Sequence, residues 1–415
     1  MNKNIKLAVA GAVLALSASA NAGIIIPAGE WTIDINGNVN AFAAWNKSDH
    51  SNVVTGGIAT TKDAAVEKNT QGITTGLLPS WLGVTGKTRQ NDLDVEFTIS
   101  LQPGVSDNHA HGDLTQPVLN RQTYVSFGDK SWGSIKLGKD LGIFASDAIL
   151  NDMTLLGVGG QANGSAAFVG SGAGANTTLG GIGSGYLYAA WKGQVAYTTP
   201  NFNGFQATVG ITNPNQGLAL SGVSGATTAL YQDRHGLEGK ASYSFSGDAL
   251  TGKVWVSGAT YKTKLGTGPA AGAFPESTAT VADIGANVNV GNFGLTGYYY
   301  SGEGVGQVVM FQQSHDLSGN KRDSDGGYVQ ATYVLPTKTK IGLAYGKSNL
   351  DLTSAETVAG SPLVVSHNKR FTAGAYHPLT KHLNLVAEWN DMETEAHNGV
   401  KNENTSISTG AILFF

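Results

Sequence analysis

The feature that most constrains this chain is a period-two alternation of apolar and polar residues, repeated along its length and interrupted by turns. From Trp31 the odd positions read Trp31, Ile33, Ile35, Gly37, Val39, Ala41, Ala43 and Trp45, while the even positions read Thr32, Asp34, Asn36, Asn38, Asn40 and Phe42. Successive side chains of a strand point to opposite faces, so this is a strand with one apolar and one polar side. Leu93, Val95, Phe97, Ile99 and Leu101 alternate likewise with Asp94, Glu96, Thr98 and Ser100. Leu237, Gly239, Ala241, Tyr243 and Phe245 alternate with Glu238, Lys240, Ser242 and Ser244, and Leu383, Leu385, Ala387 and Trp389 with Asn384, Glu388 and Asn390. The chain ends with Thr405, Ile407, Thr409, Ala411, Leu413 and Phe415 on one face.

Sixteen strands are expected, over residues 31–46, 76–89, 92–102, 120–128, 132–139, 191–199, 203–212, 234–246, 249–262, 278–290, 292–301, 325–335, 337–349, 367–377, 380–391 and 404–415. Tight turns follow each even-numbered strand, at Gln90-Asn91, Asp129-Lys130, Pro200-Asn201, Gly247-Asp248, Gly291, Pro336 and Pro378-Leu379. Longer, polar, glycine-rich segments follow the odd-numbered ones. A soluble antiparallel sandwich also alternates, but it has no reason to sort its connections by length. A barrel in lipid does, because it closes without a free edge and keeps its short turns on one side. Trp31, Trp45, Trp191, Tyr345 and Trp389 stand at strand ends, where interfacial aromatic girdles sit. The expected fold class is all-β: a transmembrane antiparallel up-and-down β-barrel of about sixteen strands.

Composition narrows the function. The chain opens with Lys3 and Lys6, an apolar run from Leu7 to about Ala18, and the small-x-small sequence Ala20-Asn21-Ala22. Residues 1–22 thus read as a signal peptide and 23–415 as a single barrel domain. The apolar run is shorter than the roughly 20 residues of a membrane-crossing helix. Without Lys3 and Lys6 the chain carries 24 Lys and Arg against 30 Asp and Glu, a net charge of −6, which argues against a nucleic-acid partner. There is no cysteine, and so no disulfide framework or thiolate metal site.

Four segments are similar to the trimeric general porins of Gram-negative bacteria. Asn120-Arg121-Gln122-Thr123-Tyr124-Val125-Ser126-Phe127 followed by Trp132-Gly133-Ser134-Ile135-Lys136-Leu137-Gly138-Lys139 resembles the paired strands before that family's constriction loop. Leu82-Gly83-Val84-Thr85-Gly86-Lys87 resembles its second strand, and Val195-Ala196-Tyr197-Thr198-Thr199-Pro200-Asn201-Phe202-Asn203-Gly204-Phe205 the hairpin after the loop. Terminal Phe415 resembles the signal read by the barrel-assembly machinery.

The resemblance implies an outer-membrane porin, a water-filled channel for passive diffusion of ions and small hydrophilic solutes, with no cofactor. It implies a homotrimer in outer-membrane lipid and lipopolysaccharide, whose third long loop, here about 140–190, folds inward and narrows the pore. Acidic side chains on that loop face basic ones on the wall. Asn151-Asp152-Met153 resembles the acidic loop segment, with Asp147 one turn earlier, while Arg121 matches a basic wall position and Lys139 stands where arginine is usual. One wall arginine is replaced by Trp81, which alternation places on the lumen face with Gly83, Thr85 and Lys87. Another maps to Ala190, followed by Lys192, and the second loop acid maps to Leu156. The expected constriction is therefore Arg121, Lys139, Lys192, Asp147, Asp152 and Trp81, with Lys87 and Lys136 on the wall, a weakened transverse field, and an indole on which ring-shaped solutes stack.

Other motifs have plainer readings. His109-Ala110-His111 has ligand-like spacing but no third ligand, and Asp323-Ser324-Asp325-Gly326 lacks the glutamate that closes a calcium loop, so no metal site is expected. The glycines from Gly170 to Gly185 lack the strand, helix and Lys-Ser/Thr pair of a phosphate cradle. Two alternatives remain: a structural or adhesive barrel plugged by its own loops, and an outer-membrane hydrolase. The nine histidines fall mainly in loops and at strand ends, and none sits in a Gly-x-Ser-x-Gly context.

Overall fold

The computed structural model describes residues 23–49, 52–59, 68–105, 118–160, 177–214, 234–263, 276–316, 319–359 and 363–415. The signal-peptide reading of 1–22, the pair His109 and His111, and the glycines up to residue 176 lie outside the described residues.

The strands are β1 (Ile24–Ala28), β2 (Trp31–Ser48), β3 (Asn69–Thr74), β4 (Trp81–Gln90), β5 (Leu93–Leu101) and β6 (Thr123–Asp129). They continue as β7 (Gly133–Leu141), β8 (Trp191–Thr198), β9 (Phe205–Thr212), β10 (Gly236–Ser246), β11 (Leu250–Thr263) and β12 (Ser277–Val290). The last six are β13 (Phe293–Glu303), β14 (Asp323–Val334), β15 (Lys340–Leu350), β16 (Val365–Pro378), β17 (Leu383–Ala396) and β18 (Lys401–Phe414). From β4 to β18 each strand pairs antiparallel with the next, and β18 pairs with β2, which pairs with β4. This closes a 16-stranded barrel with no free edge. Closure is what lipid demands, since an unpaired backbone group there has no water to bond.

The faces divide as the alternation requires. Val39, Trp45, Leu82, Ile99, Leu237, Ile284, Leu343 and Ile407 are exposed on the outside, whereas Asn38, Asn40, Ser100, Glu238 and Glu388 are buried toward the inside. Trp45, Tyr345 and Trp389 join the outer surface as expected. Trp191 does not; its ring lies 5.5 Å from that of Trp81.

Each expected strand is present, with two departures at the start. The second, expected from residue 76, begins only at Trp81, and an unexpected strand precedes it: β3 pairs with β2 at Phe42 to Lys47 and β4 at Thr32 to Asn38, leaving residues 75–80 off the ladder. Pro79 has no N–H to give the ladder. The Leu77 N–H goes instead to the Gly157 carbonyl, 2.9 Å away, and the Leu78 carbonyl accepts from Asn40 Nδ2. Leu77 and Leu78 thereby dip into the lumen. The second departure is β1, which pairs with Trp31 to Ile35 beyond the point where β18 stops, so it extends the β18 edge. Three consecutive isoleucines followed by proline carry no alternation to announce it. The first tight turn sits one residue later than expected, on Asn91 and Asp92 at φ 48° and 62°, the left-handed pair that a two-residue hairpin requires.

Candidate functional site

The connection after β7 turns inward and crosses to the opposite wall. Gly142 N–H bonds the Ala190 carbonyl at 2.8 Å, closing the loop's neck. The N–H groups of Ile143 and Phe144 then both reach Glu238 Oε2 on β10, at 2.8 and 2.9 Å. A short helix α1 (Ser146–Leu150) follows, with Asp147 in its first turn, where the helix dipole favours negative charge. Asp147 pairs with Lys240 at 3.2 Å and with Lys253. Burial raises its carboxyl, but the two ammonium groups outweigh burial and hold it below its ordinary range.

Asp152 caps the next turn, the 3-10 helix Met153–Leu156, by accepting from Thr154 N–H at 2.9 Å. Its other oxygen accepts from Gly181 N–H at 2.9 Å and the Tyr186 hydroxyl at 2.7 Å, and Arg370 Nη2 lies 3.8 Å away. The Met153 N–H bonds Gln330 on β14, and those of Val158 and Gly159 bond Glu388 on β17 at 2.9 and 2.7 Å. Residues 142–159 therefore lie against the inner face from β10 to β17. The returning limb, 177–190, is covered in turn by residues 305–311, with Tyr188 N–H bonded to the Val308 carbonyl at 2.9 Å.

This arrangement redistributes the expected constriction charges. Asp147 and Asp152 sit on the loop but are spent on fastening it. Lys192 is buried against Glu238, 2.7 Å away, with the Tyr261 hydroxyl at 3.1 Å, and so belongs to the same fastening. Lys139 falls opposite Thr123 on the face of Leu137 and Val125, and its ammonium donates to the Asn120 carbonyl; alternation turns it outward, away from Arg121. Lys87 meets Glu96 at 3.2 Å, and Lys136 pairs with Asp140 and lies 4.6 Å over the Tyr124 ring, a paired ladder down the inner wall. Phe415 exchanges backbone hydrogen bonds with Gly37 at 2.8 and 3.0 Å, sealing the end of the β18–β2 seam.

Arg121, itself buried, and Trp81 remain on the side of the lumen away from the loop's anchors. The two line a cavity of about 390 Å³ bounded by the loop on one side and β2 to β8 on the other. Gln122, Asp140, Tyr188 and Trp191 line it too, none of which was singled out as a site residue. Nor were Glu238, Arg370 and Glu388; the only hint was a charge at mid-strand on a face reserved for the lumen. Among the described residues Arg121 makes no ion pair, and its guanidinium lies 5.7 Å from the Trp191 ring centre.

One group could be tested as a metal site: His367, Glu393 and Glu395 approach one another on the outer face of β16 and β17. Lys369 lies 2.8 Å from Glu393 and Lys401 lies 2.9 Å from Glu395, so ammonium groups already neutralise those carboxylates. Asp323 and Asp325 belong to β14 rather than to a calcium loop.

The chain's relatives agree with this architecture. The outer-membrane channel DcaP of Acinetobacter baumannii superposes with a TM-score of 0.67 at 16% identity, covering 95% of this chain and 100% of that one. An anion-selective porin from Comamonas acidovorans gives 0.61 at 16% identity, covering 93% and 100%. Salmonella typhi OmpF, in complex with daunomycin, gives 0.56 at 14% identity, covering 94% and 100%. At these identities the likeness speaks for the fold alone. No curated protein matches the chain. The sequence itself, however, matches the Gram-negative porin family over residues 7–397, nearly its full length. With a closed barrel, an apolar outer face and a polar lumen behind that match, the chain belongs to the Gram-negative porins: an integral outer-membrane protein that forms a channel for passive diffusion.

Proposed function

We propose that solutes are sorted in the gap between the loop and the wall formed by β2 to β8, and that the loop is a fixed partition rather than a moving gate. The observation that carries this is the cavity lined by Arg121, Trp81 and Trp191 on the wall and Ile149, Leu155 and Ile182 on the loop. Charge in a confined pore of low dielectric acts on a passing ion more strongly than in bulk water. Arg121 is the lining charge without an ion partner among the described residues, whereas Asp140 is paired with Lys136. A mild preference for anions follows. Asp147, Asp152 and Lys192 act by holding the partition in place, Lys87 and Lys136 by giving the wall a balanced polar surface, and Lys139 by an outward contact.

The same reading takes the assembly as a homotrimer, a form for which OmpT of Vibrio cholerae offers a structural precedent. It takes residues 1–22 as a cleaved export signal, Phe415 as the residue read by the barrel-assembly machinery, and lipopolysaccharide as the outer-leaflet neighbour. It assigns no catalytic role, because charges aimed into this lumen are used to fix the loop and line the passage. A plugged barrel is the second reading, favoured by Val305, Met310 and Phe311, which are fully buried over the returning limb. Planar-bilayer conductance of the folded protein decides between them. Stepwise insertions that close in threes, with a reversal potential of anionic sign under a salt gradient, are expected; silence from folded protein would favour the plug.

A further inference from the structure

We infer that the gap holds a subsite for planar aromatic carboxylates, formed by Arg121, Trp81 and Trp191 on the wall and the aliphatic face of the loop opposite. The inference rests on the pore reading above and names the solute class it would select.

Two observations point to an anion. Arg121 is only 9% exposed, yet no carboxylate among the described residues pairs with it. A buried guanidinium without a counter-charge is costly, and an anion supplied from the channel removes that cost. Independently, the Trp191 indole N–H is buried without a hydrogen-bond partner among the described residues. Both are donors, and both belong to residues lining the same cavity. Its carboxylate, Asp140, is occupied by Lys136 and by Gln122 Nε2 at 2.9 Å, so the cavity has little to offer a cation.

Three further observations point to a flat apolar body. Trp81 and Trp191 lie 5.5 Å apart with rings inclined at 51°, an aromatic wall. Gly83 keeps the Trp81 indole against the barrel, since a Cβ there would stand 3.1 Å from Trp81 Nε1 and 2.8 Å from Asn36 Oδ1. Across the gap stand Ile149, Leu150, Leu155 and Ile182, an apolar partition. A volume of about 390 Å³ falls within the range of roughly 300–1,000 Å³ typical of small-molecule pockets. A ring between indoles and aliphatic chains, its carboxylate directed at Arg121, satisfies each feature; acetate lacks the ring and benzyl alcohol the charge.

The test titrates detergent-solubilised trimer with sodium benzoate, sodium acetate or benzyl alcohol, reading tryptophan fluorescence, and repeats the titration as block of single-channel current. Benzoate is expected to give saturable quenching and block at concentrations where the other two give neither. Arg121→Gln and Trp81→Ala should each weaken benzoate about tenfold, the equivalent of one lost charge-assisted or aromatic contact. Benzoate acting no better than acetate or benzyl alcohol on the wild-type protein overturns the inference, whatever the variants do. Current without benzoate binding leaves the pore and removes the subsite; benzoate binding without current leaves the subsite and removes the pore.

Discussion

The two sides of the lumen solve opposite problems. From β10 to β17 the inner wall is buried beneath the loop: Glu238 and Glu388 on the wall, and Asp152 on the loop itself, each accept loop backbone N–H groups while also accepting from tyrosine hydroxyls. From β2 to β8 the wall faces the cavity, carries pairs that water can reach, and leaves Arg121 without an ion partner among the described residues. The difference teaches where rigidity is needed. A loop that crosses a pore has orphan backbone groups, and burying them costs free energy unless carboxylates receive them. Charge on the first side therefore stabilises position, and charge on the second side acts on solutes.

The largest effect expected is on the buried side. Glu238→Ala removes the acceptor for Ile143 and Phe144 and leaves Lys192 buried without its counter-charge. Breaking a buried pair in this way costs about 3–5 kcal/mol. Urea titration followed by heat-modifiable gel mobility should register the loss, and single channels should become larger and noisier as the loop comes free. A quiet channel of unchanged stability would mean that the loop is not fastened there.

Asp147 sharpens the comparison through pH. Its folded carboxyl is held below the ordinary value of 3.8, so its contribution is complete above 3.8 and is lost as pH falls through the lowered folded value. Channel noise is expected to rise only on acidification below about pH 4, and Asp147→Asn should show that noise already at neutral pH. The loss corresponds to roughly 1.5–3 kcal/mol for hydrogen bonds to charged groups. Identical noise-against-pH curves for wild type and variant would count against the Asp147 pairs as anchors.

On the open side the effects invert. Arg121→Gln should alter stability by less than about 1 kcal/mol, since it orphans no ion partner among the described residues. Its signature is electrical: the reversal potential under a salt gradient moves toward cation preference. Smallest of all is Lys87→Ala. The pair with Glu96 is largely solvent-exposed on the lysine side and is worth about 0–1 kcal/mol. A change larger than that, or a shift of selectivity as great as that of Arg121→Gln, would erase the distinction between the two walls.

Much of the barrel was legible because the side-chain period of a strand is two and lipid imposes a strict inside and outside. Leu237 and Glu238 announce their faces without knowledge of any neighbour. The short strand β1 was not legible, because three isoleucines and a proline show no alternation, and neither was the excursion at residues 75–80, where a proline leaves the ladder and a loop carbonyl takes the freed N–H. Arg121 and Trp81 were found from sequence as lumen residues. Trp191 was assigned to the girdle from its place at a strand end, a position that does not say which way the ring will turn.

Alternation and connection lengths by themselves determined a closed barrel with a polar interior and one unusually long connection, because those properties are local in the chain and repeat; that the connection turns inward was implied by the resemblance to the porins. Which charges would be free was decided only in three dimensions. Lys192 and Glu238 are 46 residues apart, and Arg121 and Trp191 meet across a loop neck closed by Gly142 and Ala190. A charge becomes an anchor or a selector according to what the fold brings within about 4 Å of it, and no local pattern encodes that.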